Sequence, residues 1–375
     1  MITTLDEVVC RTNSKIDRFT TDLEYYVGGD HINSDEIILR NYGKKDEGVL
    51  GPMFYFGFKK GDILLVSRNP HLRKACLATI DGICSEKTFV LGTKDQSKLL
   101  QSFIPIILQS DNFWKYAESH KSGSVNYFIN WSTLSNYTFN LPDIKAQKTF
   151  SDVIWSLQDY IMLLDDQIVL LNDLVKSRFI EMFGTPTGNE KQWPTEKMKE
   201  VAPPVQADNE PMSEGNWLLN LDAIQSNSGE ILFKNRVPDS ELNGSIMAFS
   251  SDHVLYSKLR PYLNKVAVPD ESGYGTTELI PLLPDKSKLT RLYLAYLLRS
   301  DAFVSKFSSA VAGTKMPRVS MDVFWKFEVP IPPIDLQQDF GRFVEQVDKS
   351  KFELQKHLED TKRLQKALIN QAFKQ

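Results

Sequence analysis

A repeat of about 190 residues constrains the fold of this chain more than any single motif does, because a repeated sequence implies a repeated structural unit. Leu141-Pro142 in the segment TFNLPDIKAQKTF lies 190 positions before Ile331-Pro332 in EVPIPPIDLQQDF. The same offset holds without gaps over 110–183. Farther upstream Ser67 aligns with Ser257, and one inserted residue follows. A constant offset over this length indicates a duplicated unit, so we expect the two halves to share a fold.

Each half combines a mixed region with a helical segment. The mixed regions contain short apolar runs such as DILLVS and HVLYS, separated by loops rich in Gly, Asn, Asp and Ser, which is typical of short strands and turns. The composition, with 42% hydrophobic and 25% charged residues, is that of an ordinary folded protein. We therefore predict an α+β fold with two similar globular domains, 1–143 and 185–333, each followed by a helix, 144–184 and 334–375.

The two helical segments carry heptad patterns that favour a coiled coil, since apolar residues recur at alternating steps of four and three. The expected seam of the first helix consists of Phe150, Ile154, Leu157, Ile161, Leu164, Ile168, Leu171 and Val175. The copy one period later consists of Phe340, Val344, Val347, Leu354 and Leu358. Lys351 interrupts this second seam, where it either fixes the register or points into solvent.

The chain connections predict how the two helices pair. Domain 185–333 is joined by short connections to the end of the first helix and to the start of the second, so these two helix ends should lie close together. An antiparallel two-helix coiled coil satisfies this condition, with the globular domains at opposite ends and an approximate two-fold axis between the halves. At 1.5 Å per residue, a helix of roughly 38 residues is about 57 Å long. The helix pair would therefore act as a spacer.

Basic, amide and aromatic side chains cluster in segments that recur in both halves. SRNPHLRK and SKLRPYLNK each follow a predicted strand, while HKSGSVNYF and VAGTKMPRVS each contain a glycine. Arg and Lys contact phosphates or guanine and Asn reads adenine, so these segments are suited to DNA. Solvated loops are the alternative interpretation. The candidate DNA-binding residues are Arg68, Asn69, His71, Arg73, Lys74, Lys121, Asn126, Lys258, Arg260, Tyr262, Asn264, Lys265, Lys315 and Arg318.

Composition and motifs limit the other function classes. The net charge of -4 means that any DNA-binding surface must be local, since nucleic-acid affinity comes largely from Lys and Arg. Cys10, Cys76 and Cys84 have no CxxC spacing, which argues against a disulfide framework or a zinc site. The sequence contains no P-loop, HExxH or GxSxG motif, which disfavours an enzyme. The first residues show no signal-peptide pattern and no apolar run has membrane length, so we expect a cytoplasmic protein without a membrane partner.

LVKSRFIEMFGTPTGNEKQWP and VPIPPIDLQQDF resemble the conserved segments of type I restriction–modification specificity subunits, and YSKLRPYLNKV and AGTKMPRVS resemble segments of their target recognition domains. The resemblance implies that 1–143 and 185–333 are target recognition domains, each reading half of a bipartite site in double-stranded DNA. It also implies that two modification (methyltransferase) subunits bind along the helices, and that restriction and translocase subunits join through them. Such a subunit is not catalytic and binds no cofactor or metal itself. S-adenosylmethionine, ATP and Mg would belong to the partner subunits.

Two other function classes stay open on the sequence alone. A stand-alone nuclease or methyltransferase with an unrecognised site would turn over DNA without partners. A scaffold that binds only proteins would keep any DNA binding unchanged after charge reversal at Arg260 and Lys315. The first half has SRNPHLRKA and SGSVNYFIN where the family segments would stand, so the resemblance assigns no DNA contact to the first domain.

Overall fold

The chain forms two compact units. The computed structural model describes residues 1–12, 14–47, 50–211, 213, 215–242, 246–309 and 317–373, together with the backbone of 311–312. Unit 1 comprises Met1–Asp165 and Gln355–Gln375, and unit 2 comprises Asp166–Leu354. Each unit therefore combines one globular region with parts of two long helices.

Unit 1 mixes short strands with short helices. Its strands are β1 (Ile2–Thr4), β2 (Val9–Arg11), β3 (Ser14–Lys15), β4 (Tyr25–Val27), β5 (Gly43–Lys44), β6 (Phe54–Phe58), β7 (Ile63–Val66), β8 (Ala75–Leu77), β9 (Gly82–Ser85), β10 (Thr88–Thr93) and β11 (Thr138–Asn140). Its helices are α1 (Leu5–Val8), α2 (Ile104–Leu108), α3 (Asp111–Ser119), α4 (Trp131–Leu134) and the first part of α5 (Ile144–Phe183). The larger sheets have the strand orders β3-β6-β9-β4-β5 and β2-β10-β7-β8.

Unit 2 has the same kind of composition. Its strands are β12 (Thr195–Lys197), β13 (Asn216–Leu219), β14 (Asn235–Val237), β15 (Ile246–Phe249), β16 (Val254–Ser257), β17 (Val266–Ala267), β18 (Gly273–Thr276), β19 (Leu279–Leu282), β20 (Val311–Ala312), β21 (Arg318–Val319) and β22 (Glu328–Pro330). Its helices are α6 (Met198–Val201), α7 (Arg291–Arg299), α8 (Asp301–Ser309), α9 (Met321–Trp325) and the first part of α10 (Ile334–Ala372). The larger sheets have the orders β14-β13-β18-β15 and β17-β16-β19. The α+β fold class predicted from the sequence is confirmed.

Local sequence signals set the ends of α5. Asp143 precedes the helix, and its Oδ1 accepts a hydrogen bond of 2.8 Å from the backbone N–H of Ala146, which satisfies one free donor of the first turn. Gly184 follows the helix with a φ of +78°, and its N–H donates to the carbonyl of Ile180 at 2.8 Å. A left-handed glycine in this place is a common helix terminator because it has no Cβ.

The two units repeat the hydrogen bonds of one buried glutamine. The Nε2 of Gln147 donates to the carbonyls of Lys98 and Pro142, at 2.8 and 2.9 Å. Gln337, 190 positions later, makes the same two bonds at the same two distances. Both glutamines are fully buried, and the Oε1 of each also accepts from a backbone N–H, at 3.0 and 2.8 Å. The two units thus fasten the start of a long helix to the globular region in the same way.

The strand pairing corrects the upstream part of the sequence alignment. Val66 pairs with Thr88 in unit 1, and Ser257 pairs with Leu279 in unit 2. Ser257 therefore corresponds to Val66, so the alignment of Ser67 with Ser257 is wrong by one residue. The two strands end in similar apolar runs followed by serine, and this similarity concealed the shift. Cross-strand partners fix the register, which a single sequence does not display.

The long helices contribute to the hydrophobic core of each unit. In unit 1, Ile154 and Ile369 are buried in the cluster that contains Phe103. In unit 2, the ring of Phe340 lies 5.4 Å from that of Phe179, centroid to centroid, inside the second core. The predicted seam residues Phe150, Ile154, Leu157, Ile161, Leu164, Ile168, Leu171, Val175, Phe340, Val344, Val347, Leu354 and Leu358 are all buried or half-buried.

We predict that Gln147→Ala and Gln337→Ala each destabilise their own unit. Either substitution leaves a backbone N–H and two carbonyls without their buried partner, and unsatisfied buried groups cost about 1–3 kcal/mol each. Hydrogen exchange should rise around residue 100 in the first variant and around residue 290 in the second. Gln338→Ala is the control because Gln338 is exposed, and equal exchange in all three variants would contradict the prediction.

Candidate nucleic-acid interface

Residues 258–265 of unit 2 form a tight turn directly after β16. A 3-10 turn begins at Pro261, and it is flanked by Arg260 and Asn264, both in the left-handed conformation with a φ of 49°. Proline suits the first position of such a turn because its ring fixes φ near -65°. The N–H of Asn264 donates to the carbonyl of Pro261 at 2.9 Å and closes the turn.

Residues 67–74 of unit 1 form the equivalent turn after β7. Asn69 and Arg73 flank a 3-10 turn that begins at Pro70, and their φ values are 50° and 51°. We call 67–74 and 258–265 the basic turns. The left-handed region costs most non-glycine residues about 1–2 kcal/mol, while asparagine adopts it more readily, and residues in this region are common at functional sites.

The second half of the unit 1 basic turn is anchored to the fold. The Nη1 of Arg73 lies 2.6 Å from Oδ1 of Asp111, and its Nε lies 2.7 Å from Oδ1 of Asp35. Its Nη2 donates to the carbonyl of Gln109 at 3.1 Å. Lys74 donates to the carbonyl of a glycine in the neighbouring loop. Both predicted DNA ligands thus have partners inside unit 1, which favours a supporting role.

Unit 2 anchors its basic turn at the same positions with different chemistry. Asn264 takes the place of Arg73 and is only 6% exposed. Its Nδ2 donates to the carbonyl of Arg299 at 2.9 Å, which is the residue equivalent to Gln109. Lys265 donates to the carbonyl of Leu221 at 2.6 Å. The burial of Asn264 makes it the predicted residue least suited to contact DNA.

In each unit the basic turn is hydrogen-bonded to a second segment, which is 120–129 in unit 1 and, among the described residues, 317–319 in unit 2. In unit 2, the N–H of Arg260 donates to the carbonyl of Pro317 at 2.7 Å, and the N–H of Val319 donates to the carbonyl of Lys258 at 2.9 Å. In unit 1, Asn69 donates to the carbonyl of Tyr127 at 2.8 Å. The structure therefore brings together the two basic segments that the sequence analysis had treated separately.

The first half of each basic turn presents the side chains that are not anchored. Arg260 and His71 are exposed, Tyr262 is 54% exposed, and Arg68, Asn69 and Lys258 are half-buried. Among the hydrogen bonds and ion pairs of the described residues, none involves the side chain of Asn69 or Arg260. These two left-handed residues occupy equivalent positions in the two units.

The second segment differs more between the units. In unit 1, the Nζ of Lys121 lies 4.3 Å from the ring centroid of Tyr127, and Asn126 is exposed. Gly123 has a φ of +98°, and a Cβ there would lie 2.7 Å from the carbonyl oxygen of Asn126, so the turn requires glycine. In unit 2, Arg318 is exposed, while the predicted ligand Lys315 lies outside the described residues.

Glu278 is a residue of this surface that the sequence analysis missed. Its Oε1 lies 2.7 Å from Nη2 of Arg318 and its Oε2 lies 3.3 Å from Nε. The hydrogen bond from Arg318 lowers the pKa of the Glu278 carboxyl, and nearby Lys258 adds to the effect against the opposing influence of burial. A single acid in the segment TTELI gives no signal in the sequence, since its partner is 40 positions away.

Two further observations concern all of the residues that the structure describes. Across the residues that the structure describes, no group of three or more His, Cys, Asp or Glu side chains is placed to hold a metal ion. Over the same residues, no helix has the length and apolar character needed to cross a membrane.

Part of the chain matches a known family model. Residues 188–361 match the model of the type I restriction modification DNA specificity domain. This match covers just under half of the 375-residue chain, and over that range the chain is similar to a type I specificity domain. This range includes the basic turn of unit 2, Glu278 and Arg318, and it confirms for that part of the chain the family resemblance read from the sequence.

Related proteins agree with the specificity-domain match. The type I restriction enzyme EcoDI specificity subunit of Escherichia coli is 26% identical over 124 residues, which are 33% of this chain and 27% of that protein. A solved structure on complex assembly and conformational transition of the type I R-M system has a TM-score of 0.56 at 18% identity, with 100% of this chain and 97% of that chain covered. The type I restriction-modification system S subunit from M. genitalium has a TM-score of 0.52 at 14% identity, with coverage of 100% and 96%. At these identities the structures support the fold.

We predict that Arg73→Ala destabilises unit 1 by about 1–2 kcal/mol, because partly exposed carboxylates lose a charged hydrogen-bond partner. Burial raises the pKa of Asp111, but the hydrogen bond and charge of Arg73 outweigh it and hold that pKa below its usual value. The stabilisation is therefore present above the ordinary aspartate pKa of about 3.9 and is lost as the pH falls through the lower pKa of the folded state.

Urea unfolding from pH 7 to pH 2.5 measures this effect. The stability difference between wild type and Arg73→Ala should narrow as the pH drops below about 4. Lys60→Ala, at an exposed position of unit 1, serves as the control and should match wild type throughout. A difference that stays constant with pH would show that the ion pair with Asp111 does not contribute.

Proposed function

We propose that this chain is the non-catalytic DNA-reading subunit of a type I restriction–modification enzyme, and that each unit places its basic turn on one half of a bipartite site. The observation that carries this proposal concerns Asn69 and Arg260, the left-handed residues at equivalent positions of the two basic turns. Neither side chain makes a hydrogen bond or ion pair within the described residues, so these side chains are available to a ligand. Arginine and amide groups are the usual partners of phosphates and base edges.

Under this proposal some residues of the basic turns and second segments contact DNA, and we call them readers. Others hold the basic turns in place, and we call them supports. The readers are Arg68, Asn69, His71, Lys121 and Asn126 in unit 1, and Lys258, Arg260, Tyr262, Lys315 and Arg318 in unit 2. The supports are Arg73, Lys74, Asn264 and Lys265, whose side chains hold the basic turns from behind.

We further propose that 1–143 and 185–333 act as target recognition domains, and that helices 144–184 and 334–375 form an antiparallel coiled coil. Contacts within each unit support this pairing. In unit 1, the Nε2 of Gln365 near the end of α10 donates to Oε1 of Gln158 near the start of α5, at 3.2 Å. In unit 2, Phe340 at the start of α10 packs against Phe183 at the end of α5.

Two methyltransferase subunits would dock along these helices, one for each unit. Each unit exposes apolar side chains from its own part of α5: Leu163 is 52% exposed in unit 1, and Leu170 is 65% exposed in unit 2. Large exposed apolar residues on one helix face are a feature of interaction surfaces. Restriction and translocase subunits would join through the methyltransferases.

The cofactors would belong to the partners, with S-adenosylmethionine on the methyltransferases and ATP with Mg on the translocase. The chain itself would bind none of them, and it would act in the cytoplasm, where the DNA is. Discrimination between sequences would be its contribution to the complex.

We expect Arg260→Glu to weaken DNA binding by the complex of this chain with its methyltransferase by about tenfold or more, since one good arginine contact is worth about 1–3 kcal/mol. Asn69→Ala should instead relax the half-site read by unit 1. Binding assays at fixed salt and mapping of methylated adenines measure both effects. Lys199→Glu is the charge-matched control at an exposed position of unit 2.

Wild-type binding and an unchanged motif in both variants would favour the scaffold that binds only proteins. DNA turnover by the chain alone, with Mg, ATP and S-adenosylmethionine supplied, would favour the stand-alone enzyme.

A longer helix pair should lengthen the unread spacer between the half-sites. Four residues inserted after Asp165 and four after Leu354 would add about 6 Å to each helix, which corresponds to one or two base pairs at about 3.4 Å each. Mapping of methylated adenines in a host that carries the doubly extended chain gives the new spacer. An unchanged spacer with both half-sites retained would refute the proposal that the helices set the distance.

A further inference from the structure

The pairing between Arg318 and Glu278 uses one edge of the guanidinium. Glu278 contacts Nη2 at 2.7 Å and Nε at 3.3 Å. A guanidinium has five N–H donors in a rigid fork, so the edge formed by Nη1 and Nη2 keeps a pair of parallel donors. This edge has the geometry that binds O6 and N7 of guanine in the major groove.

The pair lies on the proposed DNA surface and is held by backbone contacts. Leu259 of the basic turn forms a β-bridge with Arg318, and the N–H of Lys258 donates to the carbonyl of Glu278 at 3.0 Å. The side chain of Arg318 is 48% exposed and that of Glu278 is 26% exposed. Arg318 is therefore fixed at its backbone and at one edge of its guanidinium, while about half of its side chain stays exposed.

The contribution of the ion pair to folding stability does not explain why the carboxylate of Glu278 lies on this surface. A solvent-exposed ion pair contributes about 0–1 kcal/mol, and a negative charge beside DNA opposes phosphate binding. What the carboxylate does provide is orientation, because it holds a long flexible side chain in one geometry before the ligand arrives. Orientation matters for a base contact far more than for a phosphate contact.

Unit 1 lacks this pair at the equivalent positions. The bond from Lys258 to Glu278 corresponds to a bond from Ser67 to Lys87 in unit 1. The bridge between Leu259 and Arg318 corresponds to one between Arg68 and Phe128. The same backbone contacts thus hold Arg318 and Glu278 in unit 2. At the corresponding positions, unit 1 has Phe128 and Lys87, with Arg68 in the bridge.

We propose that Glu278 is a specificity-determining positioning residue, which presents Arg318 to a guanine in the half-site read by unit 2. The inference rests on the proposed DNA-reading function and adds to it a named base and a named pair of side chains. Phe128 stands at the corresponding place in unit 1 and has no guanidinium, so the unit 1 half-site has no guanine read in this way.

The test is to map methylated adenines for the wild-type complex with its methyltransferase and for the complexes of Glu278→Gln, Arg318→Lys and Arg318→Ala. We expect Glu278→Gln to reduce discrimination at one guanine of one half-site by about tenfold or more, with the other half-site unchanged. Arg318→Lys should keep the charge and lose the same discrimination, because an ammonium lacks the planar fork. Arg318→Ala should lose both discrimination and affinity.

Glu328→Gln is the matched control, since it removes an exposed carboxylate from the same unit, and it should leave the motif unchanged. The inference is overturned if Glu278→Gln keeps the wild-type motif. It is also overturned if Glu278→Gln raises affinity for all DNA, because Glu278 would then only prevent Arg318 from binding DNA. Equal relaxation of both half-sites would also overturn it, because that result indicates a general loss of structure. If the wild-type complex methylates no motif that depends on this chain, the proposed function fails, and this inference fails with it.

Discussion

The backbone ladder between each basic turn and its second segment is the constraint on which the rest of this surface depends. In unit 2 it joins Lys258 and Arg260 to Val319 and Pro317, and unit 1 has the corresponding bonds. Because main-chain groups alone form the ladder, they are satisfied whatever side chains stand there. Two units with the same backbone hydrogen bonds can therefore expose different side chains. The differences between Phe128 and Arg318, or between His71 and Tyr262, change the surface and leave the fold intact.

The two units hold their basic turns in place with different side chains. In unit 1, Arg73 reaches a backbone carbonyl and two carboxylates. In unit 2, the shorter Asn264 reaches the equivalent carbonyl through a buried amide. The common element is a carbonyl acceptor two residues before a helix: that of Gln109 before α3, and that of Arg299, the last residue of α7, before α8. Arg73 adds ion pairs with Asp35 and Asp111 to this bond, whereas the neutral Asn264 makes the bond to the backbone alone.

Local features of this fold could be predicted from the sequence, and long-range features could not. The ends of α5 follow from Asp143 and Gly184, and the buried helix faces follow from the spacing of apolar residues, because both depend on neighbours within one or two turns. Three features depend instead on strand pairing between distant residues. They are the contact of each basic turn with its second segment, the one-residue error in aligning Ser67 with Ser257, and the pairing of Glu278 with Arg318. Composition marked the basic turns as DNA candidates, but only tertiary contacts distinguish an anchored Asn264 from an exposed Arg260.

The acidic balance of the chain fits a surface on which several of the described cations already have partners. Lys74, Lys265 and Arg73 donate to groups inside the fold, and Arg318 is paired with Glu278. Affinity for DNA grows with the number of phosphates that Lys and Arg neutralise, and these side chains add little to that number. A carboxylate at the reading surface weakens attraction to DNA as a whole while it sharpens one base contact. Under the proposed function, the chain therefore supplies selectivity, and the partner subunits supply most of the electrostatic attraction that holds the complex on DNA.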